Sequence, residues 1–264
     1  MKKNLIIYLS FLFLIIFFEK SFSQQLSVGE VVSGKIKLTN SIRFELPKGD
    51  WEIVRKSSDI DYGISQRIIG LVQIQNNEIF QAIEIYEGLL GGMYQSAIDT
   101  AINEIVFKNR YDGCYERPEY NKLELYRKGS THNCMYIEPW DLPKELNNPD
   151  DPELRGMGAA YNYWIKEYNY KVPKIVLTSN HSYFSRLVGG NWYRVTYIFN
   201  PKIFDAPNSS FQTVETTEFH PANIDNFVEY KKVMEKFLDL SVERHKSFEK
   251  LFKTKKNHKL RFQK

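Results

Sequence analysis

The chain has 264 residues and a net charge of +4 at pH 7, and aromatic residues make up 15% of it. This length fits one large domain or two small ones, and the aromatic content is enough for a sizeable core. The near balance of basic and acidic residues argues against a nucleic-acid-binding protein, which carries a clustered basic surface.

The N-terminus has the layout of a secretory signal peptide. Two lysines precede an apolar run from Leu5 to Phe18, and Ser21 and Ser23 form a small-x-small site before Gln24. The run is short for a membrane span, which needs about 20 apolar residues. We therefore predict cleavage between Ser23 and Gln24 and a periplasmic or secreted protein. Cleavage removes three lysines and one glutamate, which lowers the net charge to +2. An uncleaved N-terminal anchor is the alternative.

The first half of the remaining chain alternates apolar and polar residues, as antiparallel strands do. The alternation is clear from Lys35 to Leu46. Further on, Arg67 to Gln75 and Glu78 to Tyr86 flank Asn76-Asn77. Asparagine tolerates a positive φ angle, so this pair predicts a tight hairpin. A second hairpin is predicted from Leu123 to Glu138.

Three stretches have the three-four spacing of apolar residues that is typical of amphipathic helices. They run from Met93 to Val106, from Asp151-Pro152 to Tyr168, and from Pro221 to Phe252. An aspartate followed by proline, as at the second of these, favours a helix start. Between the second and third helices, the segments from Lys174 to Leu187 and from Trp192 to Asn200 are predicted strands.

Together these elements predict a single α+β domain over residues 24–252. It is an antiparallel β-sheet built from hairpins, with about three packed helices, of which the last is long and C-terminal. Residues 253–264 contain six basic residues and no acidic ones. They predict a disordered basic tail, and weak contact with an anionic membrane surface is the alternative.

Cys114 and Cys134 are the only cysteines in the chain. Two cysteines in an exported chain most simply form a disulfide, and closing a loop of this length contributes about 3 kcal/mol. A thiol nucleophile is the alternative, since His132 would share one face of a strand with Cys134. Such a nucleophile needs a depressed pKa and a third, orienting group, and Asn133 points to the opposite face. The pattern therefore favours the disulfide.

The other residues offer no recognisable catalytic set. The five histidines lack the spacing of metal ligands, and no serine-elbow or phosphate-loop motif occurs. We accordingly predict no cofactor and no metal. His181 lies mid-strand on a face shared with Tyr183, and these two could line a pocket with Trp164. A hydrogen-bonded histidine in the core or at a sheet edge is the simpler interpretation of His181.

Two short segments carry a resemblance. LPKGDW at Leu46 to Trp51 resembles the L-P-x-G-x-W opening of a group of uncharacterised exported bacterial proteins, and YIFNP at Tyr197 to Pro201 is similar to a late strand end in that group. The resemblance covers about eleven residues and implies no activity. We expect a non-catalytic binding or interaction protein of the bacterial envelope or periplasm, whose partner is another envelope protein or a small ligand. A secreted hydrolase with a site assembled from distant residues is the alternative.

Overall fold

The computed structural model describes residues 26–38, 43–61, 64–89, 123–128, 131–141, 165–185, 191–209 and 213–262. Eight of the strands in these ranges form one antiparallel β-sheet, and a long C-terminal helix packs on it. None of the helices in these ranges is long and apolar enough to cross a membrane.

The strands lengthen after the first three. They are β1 (Val31–Val32), β2 (Lys35–Lys37), β3 (Arg43–Glu45), β4 (Trp51–Asp61), β5 (Ile64–Gln75), β6 (Glu78–Leu89), β7 (Leu123–Lys128), β8 (Thr131–Trp140), β9 (Val176–Ser185) and β10 (Asn191–Phe199). Eight of these strands form one sheet in the order β1-β4-β5-β6-β10-β9-β8-β7, while β2 and β3 pair separately. Two antiparallel meanders, β4 to β6 and β7 to β10, therefore meet where β6 pairs with β10. The predicted antiparallel sheet of hairpins is confirmed.

The hairpin between β5 and β6 turns at the predicted residues. Asn76 has a φ angle of 52° and Asn77 one of 61°, and Gln75 pairs with Glu78. Two consecutive positive φ angles define the two-residue turn whose twist matches that of antiparallel strands. Asparagine adopts this conformation at a lower cost than most residues, which explains why the dipeptide is found there.

The described residues contain two α-helical stretches rather than about three. One is the turn 165–168, which ends at Asn169 with a φ angle of 53°, as predicted for the second helix. The other is α1 (Val228–Phe262). The first predicted helix, residues 93–106, lies outside the described residues, and so does residue 151, where the second was predicted to start.

Both ends of α1 differ from the prediction. The segment from Pro221 forms turns and a short 3-10 helix (Ile224–Asn226) before α1 begins. Asn223 holds this segment, since its side-chain amide donates to the carbonyl oxygens of Glu215 and Thr217 at 3.1 Å each. At the other end, α1 continues through most of the predicted disordered tail. Lysine and arginine are good helix formers, so they extend a helix that has already begun.

Both faces of the sheet bury apolar side chains. We call the face that packs against α1 the helix face and the opposite one the rear face. The helix-face core includes the fully buried Trp51, Phe199 and Phe237. The rear face has a smaller cluster of Val54, Val72, Ile79, Ala82, Val176 and Ile198, which residues from the 165–172 segment help to cover.

Candidate functional site

A pair of buried histidines joins the sheet to α1. His181 lies on β9 and His245 on α1, and their side chains are 0% and 1% exposed. The two Nδ1 atoms are 3.1 Å apart, and the rings stack with centroids separated by 5.3 Å. The Oγ of Ser179 lies 2.7 Å from Nε2 of His181. The predicted core interpretation of His181 agrees with this geometry.

The hydrogen bonds require that the two imidazoles share one proton. One Nδ1 donates and the other accepts, while the hydroxyl of Ser179 can serve either tautomer of His181. The pKa of His181 is well below its ordinary value because of burial, and repulsion from Arg244, and from His245 when it is protonated, lowers it further. Burial also lowers the pKa of His245 to about 4, although the charge of Glu249 opposes this. Both rings are therefore neutral at pH 7.

Arg244 lies beside this pair with its guanidinium stacked on aromatic rings. The Cζ atom is 4.4 Å from the ring centre of Tyr197 and 4.7 Å from that of Phe199. Its Nη1 is buried and has no hydrogen-bond partner among the described residues. Burial lowers the pKa of Arg244, and it raises that of Tyr197 to about 12. The protein thus holds a desolvated cation here.

A surface cleft of about 230 Å³ opens at Arg244. Its walls come from the chain around β3, from Tyr197 on β10, and from one side of α1. The lining is mostly apolar, and it consists of Phe44, Glu45, Leu46, Pro47, Tyr197, Leu240, Glu243, Arg244, Ser247, Phe248 and Leu251.

The segment LPKGDW forms one wall of the cleft for reasons of local structure. The indole Nε1–H of the fully buried Trp51 donates to the carbonyl oxygen of Pro47 at 2.9 Å and so closes the turn. Gly49 has a φ angle of 117°, and a Cβ atom there would collide with the side chain of Gln73. Glycine and tryptophan are therefore needed by the fold at positions 49 and 51.

The segment YIFNP has a similar structural explanation. Tyr197 and Phe199 belong to the helix-face core. The side chain of Asn200 accepts a hydrogen bond from the amide of Lys202 at 3.1 Å and donates to the carbonyl oxygen of Ile79 at 3.2 Å. Asn200 thereby caps the 3-10 helix Pro201–Phe204. The two resembling segments meet at the cleft, since Leu46, Pro47 and Tyr197 all line it.

Of the remaining predicted site residues, only Tyr183 and Cys134 belong to the part of the chain that the structure describes. Tyr183 is buried on the helix face, whereas Trp164 lies outside the described residues, as do Cys114, Ser23 and Gln24. Cys134 is 1% exposed on the rear face, opposite Ser182. The predicted disulfide therefore stays a prediction. Nowhere in the described ranges do three or more potential metal ligands cluster.

Sequence reasoning missed the roles of His245 and Arg244. His245 lies four residues after Ser241 and three before Phe248. This spacing puts it on the buried side of the helix, which we call the seam, but the spacing does not name its partner. Arg244 flanks that seam and resembles a solvated residue in sequence. Its three-residue distance from Ser241 was the available signal.

A second polar group lies on the rear face, and no sequence pattern predicts it. Glu84 is 1% exposed, and it accepts a hydrogen bond from the hydroxyl of Tyr86 at 3.4 Å. The guanidinium of Arg194 lies 4.1 Å from the ring centre of Tyr86. Burial raises the pKa of Tyr86, and the charge of Glu84 raises it further. In sequence these residues alternate with apolar ones and resemble the solvated side of a sheet.

Comparisons with known proteins give no assignment. No family model matches the chain, and no curated protein matches it. Among solved structures, it is similar to the gene product SA0254 from Staphylococcus aureus subsp. aureus N315. The TM-score is 0.24 and the identity 5%, over 58% of this chain and 84% of that one. A likeness of this size carries no argument about fold or function.

Proposed function

We propose that the protein is exported to the bacterial envelope or periplasm and binds a small ligand there without turnover. The observation that carries the proposal is the cleft beside α1, where apolar walls surround a cation whose Nη1 has no hydrogen-bond partner among the described residues. Concave, mostly apolar sites with one well-placed polar group are typical of small-molecule recognition.

The state of the histidines supports binding over catalysis. A general acid or base must come within hydrogen-bond reach of its substrate. The side chains of His181 and His245 are sealed between β9 and α1, and both rings are neutral. They are better suited to fixing the position of α1, and hence one wall of the cleft, than to proton transfer with a substrate.

The export part of the proposal rests on the N-terminal sequence and on the two cysteines. It includes a signal peptide cleaved between Ser23 and Gln24 and a bridge between Cys114 and Cys134. It also includes the predicted helix over residues 93–106, which would complete the α+β domain. The resemblance to exported bacterial proteins points in the same direction.

A ligand screen on the mature protein, residues 24–264, tests the binding part. The Tm of the protein is measured with each compound from a library of small polar and apolar molecules. Each mixture is then analysed by mass spectrometry for new products. We expect some compounds to raise Tm and to be recovered unchanged. Consumption of any compound would contradict binding without turnover and would favour a hydrolase.

Two variants locate the site. Ser247 is exposed and lines the cleft, so Ser247→Trp fills it. Lys246 is also exposed but does not line the cleft, which makes Lys246→Trp the matched control. We expect the first variant to abolish the ligand-dependent rise in Tm and the second to keep it. If both variants lose the ligand-dependent rise in Tm, or both keep it, the ligand does not bind in the cleft.

A further inference from the structure

We infer that the ligand of the cleft is a small organic acid whose single carboxylate pairs with Arg244. The inference rests on the proposed function, because it names the chemical class of that ligand. Its basis is the combination of a desolvated guanidinium, an apolar cavity of limited size and the acidic residues at the rim.

The charge of Arg244 is incompletely compensated within the described part of the chain. No carboxylate there lies within ion-pair distance of its guanidinium, and Nη1 is buried without a hydrogen-bond partner. The guanidinium lies over the rings of Tyr197 and Phe199, and Arg244 lines the cleft. A carboxylate can accept two parallel N–H bonds from a guanidinium, and charge-assisted bonds of this kind are about twice as strong as neutral ones.

The rest of the cleft determines the size and polarity of the remainder of the ligand. Phe44, Leu46, Leu240, Phe248 and Leu251 provide apolar walls. The volume of about 230 Å³ equals that of roughly eight water molecules at about 30 Å³ each. A short aliphatic chain or a single ring fits this space and buries its apolar surface there.

The acidic residues at the rim favour a ligand with one negative charge over a ligand with two. Glu243 lines the cleft, and its charge raises the pKa of Arg244, so it already offsets part of the cation. Glu45 also lines the cleft, but it pairs with Lys35 at 2.7 Å. A doubly charged phosphate would meet one half-buried cation and the carboxylate of Glu243. A monocarboxylate is the better electrostatic match.

Matched acid and amide pairs test the inference directly. Phenylacetate is compared with phenylacetamide, and hexanoate with hexanamide, by calorimetric titration of the mature protein at pH 7. We expect each acid to bind at least tenfold more tightly than its amide, and inorganic phosphate not to compete. Arg244→Gln is expected to remove the preference for the acid, and Arg244→Lys to keep part of it.

A second variant guards against misfolding of Arg244→Gln. Ser247→Asp adds a negative charge to the cleft without replacing the half-buried Arg244, and it is expected to weaken binding of the acids tenfold or more while sparing the amides. Lys246→Gln removes one positive charge outside the cleft and should leave the affinities for acids and amides unchanged.

Amides that bind as tightly as acids would overturn the inference and leave the proposed function standing. If no member of either pair binds while other compounds bind at the cleft, the inference alone fails, whereas no binding at the cleft by any compound would overturn both.

Discussion

The Nδ1 atoms of His181 and His245 lie 3.1 Å apart in the core, with one ring on β9 and the other on α1. Because each ring is neutral, a single shared proton links the sheet to the helix. The contact also seats α1 beside Tyr197, whose ring meets that of His181 edge-on at 5.2 Å. The contact therefore helps to hold the helical wall of the cleft against the sheet.

Stability should fall as the pH is lowered through the ordinary pKa of histidine. Both folded-state pKa values are depressed, that of His245 to about 4, so the unfolded state binds more protons below a pH of about 6.5. The stabilising contribution is complete above that pH and is lost as the pH falls toward the folded pKa. We expect the free energy of unfolding to drop by about 2 to 3 kcal/mol between pH 7.5 and pH 5.5 in urea titrations.

Replacing one histidine of the pair separates its contribution to the pH-dependent loss of stability from that of the carboxylates. His245→Gln keeps a hydrogen-bonding side chain that does not titrate, so it should remove about half of the pH-dependent loss. Lys246→Gln, at an exposed position of the same helix, is the control and should leave the loss unchanged. An identical pH slope in the wild type and in His245→Gln would contradict the buried neutral pair.

Phe237 should be among the most sensitive positions of α1. It is fully buried, and its ring packs edge-on against Phe199 at 5.4 Å and tilted against Phe204 at 5.5 Å. Truncating a buried phenylalanine costs about 3 to 5 kcal/mol, so Phe237→Ala should show this loss in chemical denaturation. Lys236 is exposed, and Lys236→Ala should change stability by less than about 0.5 kcal/mol. Similar losses of unfolding free energy in the two variants would contradict the packing of this face of α1 against the sheet.

The buried carboxylate of Glu87 should make Arg67 important despite its exposure. Arg67 pairs with Glu87, and the hydroxyl of Tyr193 donates to the same carboxylate at 3.1 Å. The arginine is 44% exposed and the glutamate only 3%. Arg67→Met would leave the carboxylate without its cation, and we expect a loss of about 2 kcal/mol, discounted for solvent near the arginine.

A double substitution separates this electrostatic effect from lost packing. Adding Glu87→Gln to Arg67→Met removes the buried charge, so the pair of substitutions should cost less than the two single effects added together. Urea unfolding of the four proteins gives the coupling free energy. Strict additivity would show that the ion pair contributes nothing.

The mature protein should begin at Gln24 and contain one disulfide. Intact-mass spectrometry without reductant, on protein from the envelope of an expressing bacterium, should show a chain lacking residues 1–23 and about two hydrogens light. Reduction should lower the free energy of unfolding by about 3 kcal/mol. A mass with both thiols free would instead restore Cys134 as a candidate nucleophile, to be tested by Cys134→Ser. A mass that includes residues 1–23 would indicate an uncleaved anchor.

Turns and helix faces that depend on residues close together in the chain were predictable from the sequence. The turn at Asn76-Asn77 depends on two φ angles, and the seam of α1 depends on a helical period. The start of α1 was predicted wrongly, because proline at 221 resembles a helix start, whereas the hydrogen bonds of Asn223 to Glu215 and Thr217 favour a turn. A side chain that competes for backbone groups eight residues away leaves no periodic signal.

The cleft and the buried charges were not predictable for a different reason. Arg244 and Glu84 are polar residues in positions that alternation or helical spacing assigns to solvent. Their burial depends on which segments cover them, and those segments are distant in sequence. The pairing of His181 with His245 joins residues 64 positions apart, and no spacing rule selects one histidine from four others.

The two meanders share a single seam, where β6 pairs with β10 from Gln81 opposite Phe199 to Gly88 opposite Trp192. Partners across this seam are more than a hundred positions apart, so its formation carries the largest loop-closure entropy in the described sheet. Each meander can form from nearby residues, but until they join, β6 and β10 are open edges that any other strand can extend. The folding rate of the chain, and its tendency to aggregate when overproduced, should therefore be governed by this one docking event.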